Sequence, residues 1–168
     1  MKRNTLFNIL AAIVLSLVCS CSNDKGSTVN IQGSVSDAKG ELLTLMHLSG
    51  SNPVMVDTLR LGEDGKFAFK PTVEQGGPDF FCLVLNGQTI PVVSDTLQTP
   101  VKISAFKEKF STSYIAEDEL NASLKKAVAV GGDMRRKIYD LSAERQNGKV
   151  SAIEYNAALQ KLVDDYKQ

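Results

Sequence analysis

The sequence lacks the residue patterns on which most catalytic sites depend. It has three cysteines without a C-x-x-C motif and a single histidine, His47. One imidazole without a nucleophile partner cannot form a catalytic triad, and no residues near His47 have the spacing of metal ligands. The sequence also lacks a glycine-rich phosphate loop and a recognisable pair of catalytic carboxylates. We therefore predict no catalytic residue, no metal and no cofactor, a surface or edge position for His47, and a chain that is not an enzyme.

An excess of charge of either sign is also missing. The chain has 19 basic and 19 acidic residues, so it lacks the basic surface that is typical of nucleic-acid-binding proteins. Two short basic clusters, Lys125-Lys126 and Arg135-Arg136-Lys137, occur where we predict helices, with acidic residues close by in sequence. We expect them to form solvated helix faces, and we predict no nucleic-acid partner.

No apolar run is long enough to cross a bilayer. The longest extends from Leu6 to Val18 behind a basic head of Lys2 and Arg3, which is typical of a secretory signal. The next residues, Val18-Cys19-Ser20-Cys21, resemble a bacterial lipobox. This resemblance implies that residues 1–20 are removed and that Cys21 carries diacylglycerol and an N-acyl group such as palmitate. An ordinary cleaved signal peptide with incidental cysteines is the alternative.

The lipobox predicts an envelope location and limits the thiol chemistry. The mature chain would have 17 basic and 19 acidic residues, so the acyl groups would have to hold the inner or outer membrane without polybasic help. We expect a mostly periplasmic protein whose only free thiol is Cys82, with no internal disulfide. Cys82 lies within an apolar run, so we predict a buried thiol with a raised pKa.

Residues 28–110 have the pattern of an antiparallel β domain behind a polar tether at 21–27. Alternating or apolar runs predict strands at 29–35, 42–48, 54–61, 67–69, 80–85, 88–93 and 101–105. The run at 80–85 is expected to be covered on both faces. Turns are indicated at Asp64-Gly65 and Asn86-Gly87. Asp57 is interpreted as a ligand-facing carboxylate or as an acceptor of backbone or hydroxyl hydrogen bonds near a strand end.

The pattern changes to helical periodicity in residues 111–168. A first helix is predicted up to Gly131-Gly132, a second is capped by Asp133, and a third begins at a capping box of Ser151 and Glu154. The third helix has an apolar stripe of Leu159, Leu162, Val163 and Tyr166. The predicted fold class is α+β: an antiparallel β-sandwich or small barrel of six to seven strands, followed by a C-terminal helical hairpin.

Several local patterns in this order resemble one known family. They are Val29-Asn30-Ile31-Gln32-Gly33, Val56-Asp57-Thr58, the segment from Gly62 to Phe69, Pro78 to Leu83, Val101-Lys102-Ile103 and Glu119-Leu120-Asn121. They resemble the DUF4369-type domain of unknown function that precedes a thioredoxin-like domain in bacterial envelope lipoproteins of the TlpA/ResA type.

The resemblance implies an accessory role in a thiol–disulfide system, with the membrane and a thioredoxin-like domain or another envelope protein as partners. A fuller version of the chain would resemble a thiol–disulfide oxidoreductase. Because no thioredoxin-like segment follows the predicted helices, a stand-alone protein, a shortened product and one part of a longer protein all stay open. The alternative function is an envelope lipoprotein that binds a peptide, a glycan or a partner protein.

Overall fold

The computed structural model describes residues 27–50, 52–73, 77–95 and 100–167. The predicted signal peptide and Cys21 lie outside the described residues. The described chain forms ten strands, one 3-10 turn and two helices. The strands are β1 (Ser27–Thr28), β2 (Ile31–Ser36), β3 (Leu42–His47), β4 (Val54–Arg60), β5 (Lys66–Phe69), β6 (Thr72–Val73), β7 (Asp79–Leu85), β8 (Gln88–Ser94), β9 (Val101–Phe106) and β10 (Ile115–Ala116); the 3-10 turn is Lys107–Lys109, and the helices are α1 (Glu119–Gln146) and α2 (Ala152–Asp165).

Two four-stranded sheets form a sandwich, one of the two architectures that the sequence predicted. The first sheet has the order β10-β9-β2-β5, the second has the order β4-β3-β7-β8, and β1 pairs with β6 in a short ribbon. All seven predicted strands are present. One pair is not antiparallel: β2 runs parallel to β9, with Ile31 opposite Val101. The prediction of a wholly antiparallel domain is wrong at this pair. Its two strands are separated by most of the β domain, a connection long enough for parallel pairing.

The core lies between the sheets and is built by alternation along each strand. Phe67 and Phe69 are 4% and 1% exposed, so both point inward after the Asp64-Gly65 turn. They face Leu43, Leu45 and other side chains of the second sheet in one continuous hydrophobic cluster. Burial of these apolar side chains is the main stabilising contribution to the β domain.

Gly33 lies at a close approach between β2 and β9. A Cβ atom at this position would lie 1.7 Å from the backbone oxygen of Ile103 and 3.0 Å from the Phe67 ring. The parallel pair can therefore form at this spacing only if residue 33 has no side chain. Gly33 is also the last residue of the opening strand pattern on which the family resemblance rests.

The first helix does not stop at Gly131-Gly132. α1 continues through both glycines for 28 residues, so the prediction of a break there, with Asp133 as a new cap, is wrong. Glycine keeps its backbone N–H, so each glycine in a helix interior costs only about 1 kcal/mol relative to alanine. Both glycines are exposed, and nothing lies within 4 Å of where a Cβ would be, so no neighbouring group crowds the helix at these positions.

The predicted helical hairpin is confirmed. Glu154 N donates to Ser151 Oγ at 3.2 Å and Ser151 N donates to Glu154 Oε2 at 2.7 Å, which forms the predicted capping box. The two helices are joined by a hydrogen bond from the Tyr166 hydroxyl to Asp133 and by one between Ser142 and Tyr155 at 3.1 Å. Within the described part of the chain, no helix combines the length and the apolar character needed to cross a membrane.

Candidate functional site

An open groove of about 670 Å³ lies between α1 and the outer face of the second sheet. Its floor comes from β7 and β8, and its walls come from α1 and from the loop that precedes β10. The lining residues are Leu48, Cys82, Thr89, Pro91, Ser111, Thr112, Tyr114, Lys125, Val128 and Ala129.

Strand alternation places Cys82 on the groove floor. Phe81, Leu83 and Leu85 are buried in the core, whereas Phe80 is 48% exposed and Cys82 is half-buried on the opposite face. We predicted that this strand is covered on both faces and that Cys82 is buried. Both predictions overestimate the burial of the outer face, because α1 covers only part of the sheet. Partial burial nevertheless raises the pKa of the Cys82 thiol, as predicted.

Asn121 fixes the position of α1 over the sheet. Its Oδ1 accepts from Val93 N and its Nδ2 donates to Val93 O, both at 2.8 Å. Asp118 caps the helix by accepting from Asn121 N at 2.8 Å, and it also accepts from Asn121 Nδ2 at 2.9 Å. Val93 lies on β8 at the edge of the sheet, so the amide of Asn121 satisfies edge groups that a further strand would otherwise pair.

Lys125 and Tyr114 form the polar corner of the groove. The Lys125 ammonium donates to the backbone carbonyl oxygen of Tyr114 and lies 4.8 Å from the centroid of the Tyr114 ring. The Tyr114 hydroxyl is buried and has no hydrogen-bond partner among the described residues. Burial also raises the pKa of Tyr114, so the phenol stays protonated and able to donate.

An exposed apolar surface continues from the groove across the second sheet. We call it the apolar face and define it as Met46, Leu48, Met55, Phe80 and Cys82. The register places Met46 opposite both Met55 and Cys82, and Leu48 N donates to Phe80 O at 2.8 Å. The five side chains are therefore neighbours on one side of the sheet.

Asp57 lies at the other edge of this sheet, on β4. Leu61 N donates to Glu41 O at 2.9 Å, so these two residues form a hydrogen-bonded pair. Such pairs alternate with non-hydrogen-bonded pairs along an antiparallel ladder, and Thr58, three residues before Leu61, falls in a non-hydrogen-bonded pair. Thr58 therefore directs its N–H away from β3, and Asp57 Oδ1 accepts that N–H at 2.7 Å. This confirms Asp57 as an acceptor of a backbone hydrogen bond. The carboxylate is exposed and shields an edge donor that a foreign strand could pair with.

The remaining sequence candidates occupy separate places. His47 is half-buried on the interior strand β3, where its Nε2 lies 3.1 Å from Asp79 Oδ1 and its ring packs against Phe81. The predicted edge position is therefore wrong, and the predicted surface position holds only in part, since the side chain is 31% exposed. Asp64 accepts from Lys66 N at 3.1 Å, which confirms its role in the turn. Over the described ranges, no group of three or more His, Cys, Asp or Glu side chains converges as a metal site would require.

The basic clusters differ in their partners. Arg136 and Lys137 lie 2.5 Å and 2.9 Å from the Asp133 carboxylate. These cations and the Tyr166 hydroxyl hold the pKa of Asp133 well below its usual range, with the hydrogen bond from Tyr166 as the largest cause. Lys125 instead faces the groove.

Sequence reasoning missed Lys125, Tyr114 and Asn121 as site residues. A local signal existed only for Asn121: Asp118, three positions before it, is a residue type that commonly caps helices.

Residues 29–135 match the family described as domain of unknown function DUF4369. The chain belongs to this family. The matched span begins just before β2 and ends within α1, so the DUF4369 region contains both sheets, Gly33, Asn121 and every residue that lines the groove. No curated protein matches the chain.

Proposed function

We propose that this DUF4369 protein is a non-catalytic, lipid-anchored module of the cell envelope that docks a partner protein through its apolar face. The observation that carries the docking role is the exposure of large apolar side chains on one side of the second sheet. Met55 is 63% exposed and Phe80 is 48% exposed. Contiguous exposed apolar surface of this kind commonly marks an interaction site.

The first candidate partner is a thioredoxin-like domain. Its identity rests on the family resemblance, in which a domain of this type accompanies a thiol–disulfide oxidoreductase. Met46 and Met55 suit a docking surface because the flexible thioether side chain adapts to a partner's shape. Lipidation at Cys21 would place both proteins at one membrane and raise their effective concentration for each other.

The groove favours a second candidate function, a stand-alone envelope lipoprotein that binds a ligand. The peptide, glycan or partner protein that the sequence suggested would meet the aliphatic hydroxyl groups of Thr89, Ser111 and Thr112, beside the ammonium group of Lys125. Apolar clefts with a few polar groups are the usual form of a small-ligand site.

The anchor is tested by replacing the lipidated residue. Cys21→Ser should abolish labelling by a palmitate analogue and release the protein from membranes after a high-salt wash. Ser22→Ala is the matched control and should remain lipidated. Retention of Cys21→Ser in the washed membranes would contradict the lipid anchor.

Docking is tested by placing a photo-crosslinking amino acid at Phe80 in cells. The expected product contains a thioredoxin-like polypeptide with a C-x-x-C motif, identified by mass spectrometry. The matched control carries the same amino acid at Lys66, which is exposed on the first sheet. Equal crosslinking from both positions, or a Phe80 product that contains no thioredoxin-like protein, would refute this partner.

A further inference from the structure

We propose that the groove binds a long-chain monocarboxylate, with the hydrocarbon chain on the apolar floor and the carboxylate at Lys125. This inference goes beyond the docking role and does not depend on it, because the purified chain alone can be tested.

The lining of the groove fits a hydrocarbon chain. Leu48, Pro91, Val128 and Ala129 contribute apolar surface, and Cys82 contributes a protonated thiol that behaves as a small hydrophobic group. The volume of about 670 Å³ lies within the range of small-molecule sites. Val128 is 49% exposed on α1, so a chain laid along the floor would remove apolar surface of the protein from water.

The charge of Lys125 selects the head group. Lys125 forms no ion pair with any described carboxylate, whereas Lys102, Lys107 and Lys137 each have one. Its ammonium group has three donors, and only the one to the Tyr114 carbonyl is used within the described chain. Lys125 is the only cation among the described residues that line the groove, and one positive charge beside an apolar floor complements a single negative charge at the end of an apolar chain.

The phenol of Tyr114 supplies a second, independent indication. A buried hydroxyl without a partner is unfavourable, and few such groups occur in folded proteins. Tyr114 is 2% exposed, lines the groove and lies directly beneath the Lys125 ammonium. A carboxylate held at Lys125 would bring a strong acceptor to this corner. A neutral or cationic head group would leave the ammonium unpaired.

The test uses the full chain with Cys19→Ser and Cys21→Ser, so that Cys82 is the only thiol. Titration calorimetry with dodecanoate below its micellar concentration should give saturable binding of one molecule per chain. Dodecyltrimethylammonium, which has the same hydrocarbon chain and the opposite charge, should bind at least about tenfold more weakly. Equal affinity for the two amphiphiles would overturn the proposal.

Two variants locate the binding site. Lys125→Met should weaken dodecanoate binding about tenfold to hundredfold, the loss expected for one charge-assisted hydrogen bond. Lys126→Met is the matched control and should leave affinity unchanged, because Lys126 is exposed and does not line the groove. Ala129→Trp should block binding by filling the groove from an exposed helix position. An equal loss in Lys125→Met and Lys126→Met, or full binding by Ala129→Trp, would refute the assignment.

Alkylation of Cys82 provides a measure of binding that does not depend on calorimetry. Because the thiol lies on the groove floor, dodecanoate should slow its alkylation by a maleimide, and Lys125→Met should remove this protection. Alkylation that is unaffected by saturating dodecanoate would contradict the site. If an apolar hexapeptide bound more tightly than dodecanoate and lost affinity when its C-terminus was amidated, the proposal would be overturned, because the groove would then be a site for a peptide C-terminus.

Discussion

Replacing Asn121 with leucine should destabilise the protein more than its position in the first turn of a helix would suggest. Leucine has the same number and branching of side-chain heavy atoms as asparagine, so the change removes polar groups without opening a cavity. It deletes both hydrogen bonds to Val93 and the side-chain bond to Asp118. Val93 is 4% exposed, so its N–H and C=O would be left without a partner in a largely dry edge.

The magnitude follows from the two orphaned backbone groups. Each buried donor or acceptor left unpaired costs about 1–3 kcal/mol. Small movements of α1 would admit some water, so we expect a total loss of about 2–4 kcal/mol in the free energy of unfolding. A domain of this size loses about 2–4 °C of melting temperature per kcal/mol, which predicts a decrease of about 5–15 °C.

Urea denaturation followed by circular dichroism measures the change. Asn156→Leu is the matched control, because Asn156 is exposed on α2, and its effect should stay within about 0.5 kcal/mol. Hydrogen exchange at the Val93 amide should also accelerate in the Asn121 variant. A loss below about 1 kcal/mol with unchanged Val93 protection would refute the idea that Asn121 closes the edge of β8.

Three further changes test the glycines and the hairpin. Gly33→Ala should destabilise the protein by more than about 3 kcal/mol, since its Cβ would overlap the Ile103 carbonyl; a soluble variant of near-normal melting temperature would contradict the close β2–β9 approach. Gly131→Ala should instead stabilise the protein by about 0.5–1 kcal/mol, and a decrease in urea midpoint would contradict the continuous helix. The lowered pKa of Asp133 contributes stability that is complete above the unfolded value of about 3.9 and is lost as pH falls through the folded value; Asp133→Asn should remove this acid dependence from the helical signal, and an unchanged pH profile would count against the pairing with Tyr166.

The strands and caps were predictable because their signals are local. Alternation along 67–69 predicted a strand, Asp64-Gly65 defined a turn, and Ser151 with Glu154 defined a helix start within four residues. Each of these signals depends on neighbours in the chain, so it can be recognised without knowing the rest of the fold.

The glycine pair shows where local reasoning fails. Gly131 and Gly132 each disfavour a helix slightly, and the sequence alone predicted an interruption there. The structure continues α1 because helix formation is cooperative and propagation adds a hydrogen bond for each residue. Contacts on both sides of the glycine pair, from Asn121 to β8 and from Asp133 to Tyr166, stabilise the helix and outweigh two weak penalties.

The order of neighbouring residues was enough to predict the seven longer strands, the turns and the capping box of Ser151 and Glu154, because these signals are local. The folded chain was needed to show that β2 pairs in parallel with β9, that Cys82 faces a groove and that Lys125 lies over Tyr114. These features join residues that are distant in the chain, and many pairings are compatible with the same local pattern. Packing and the satisfaction of edge hydrogen bonds, as between Asn121 and Val93, select one of them.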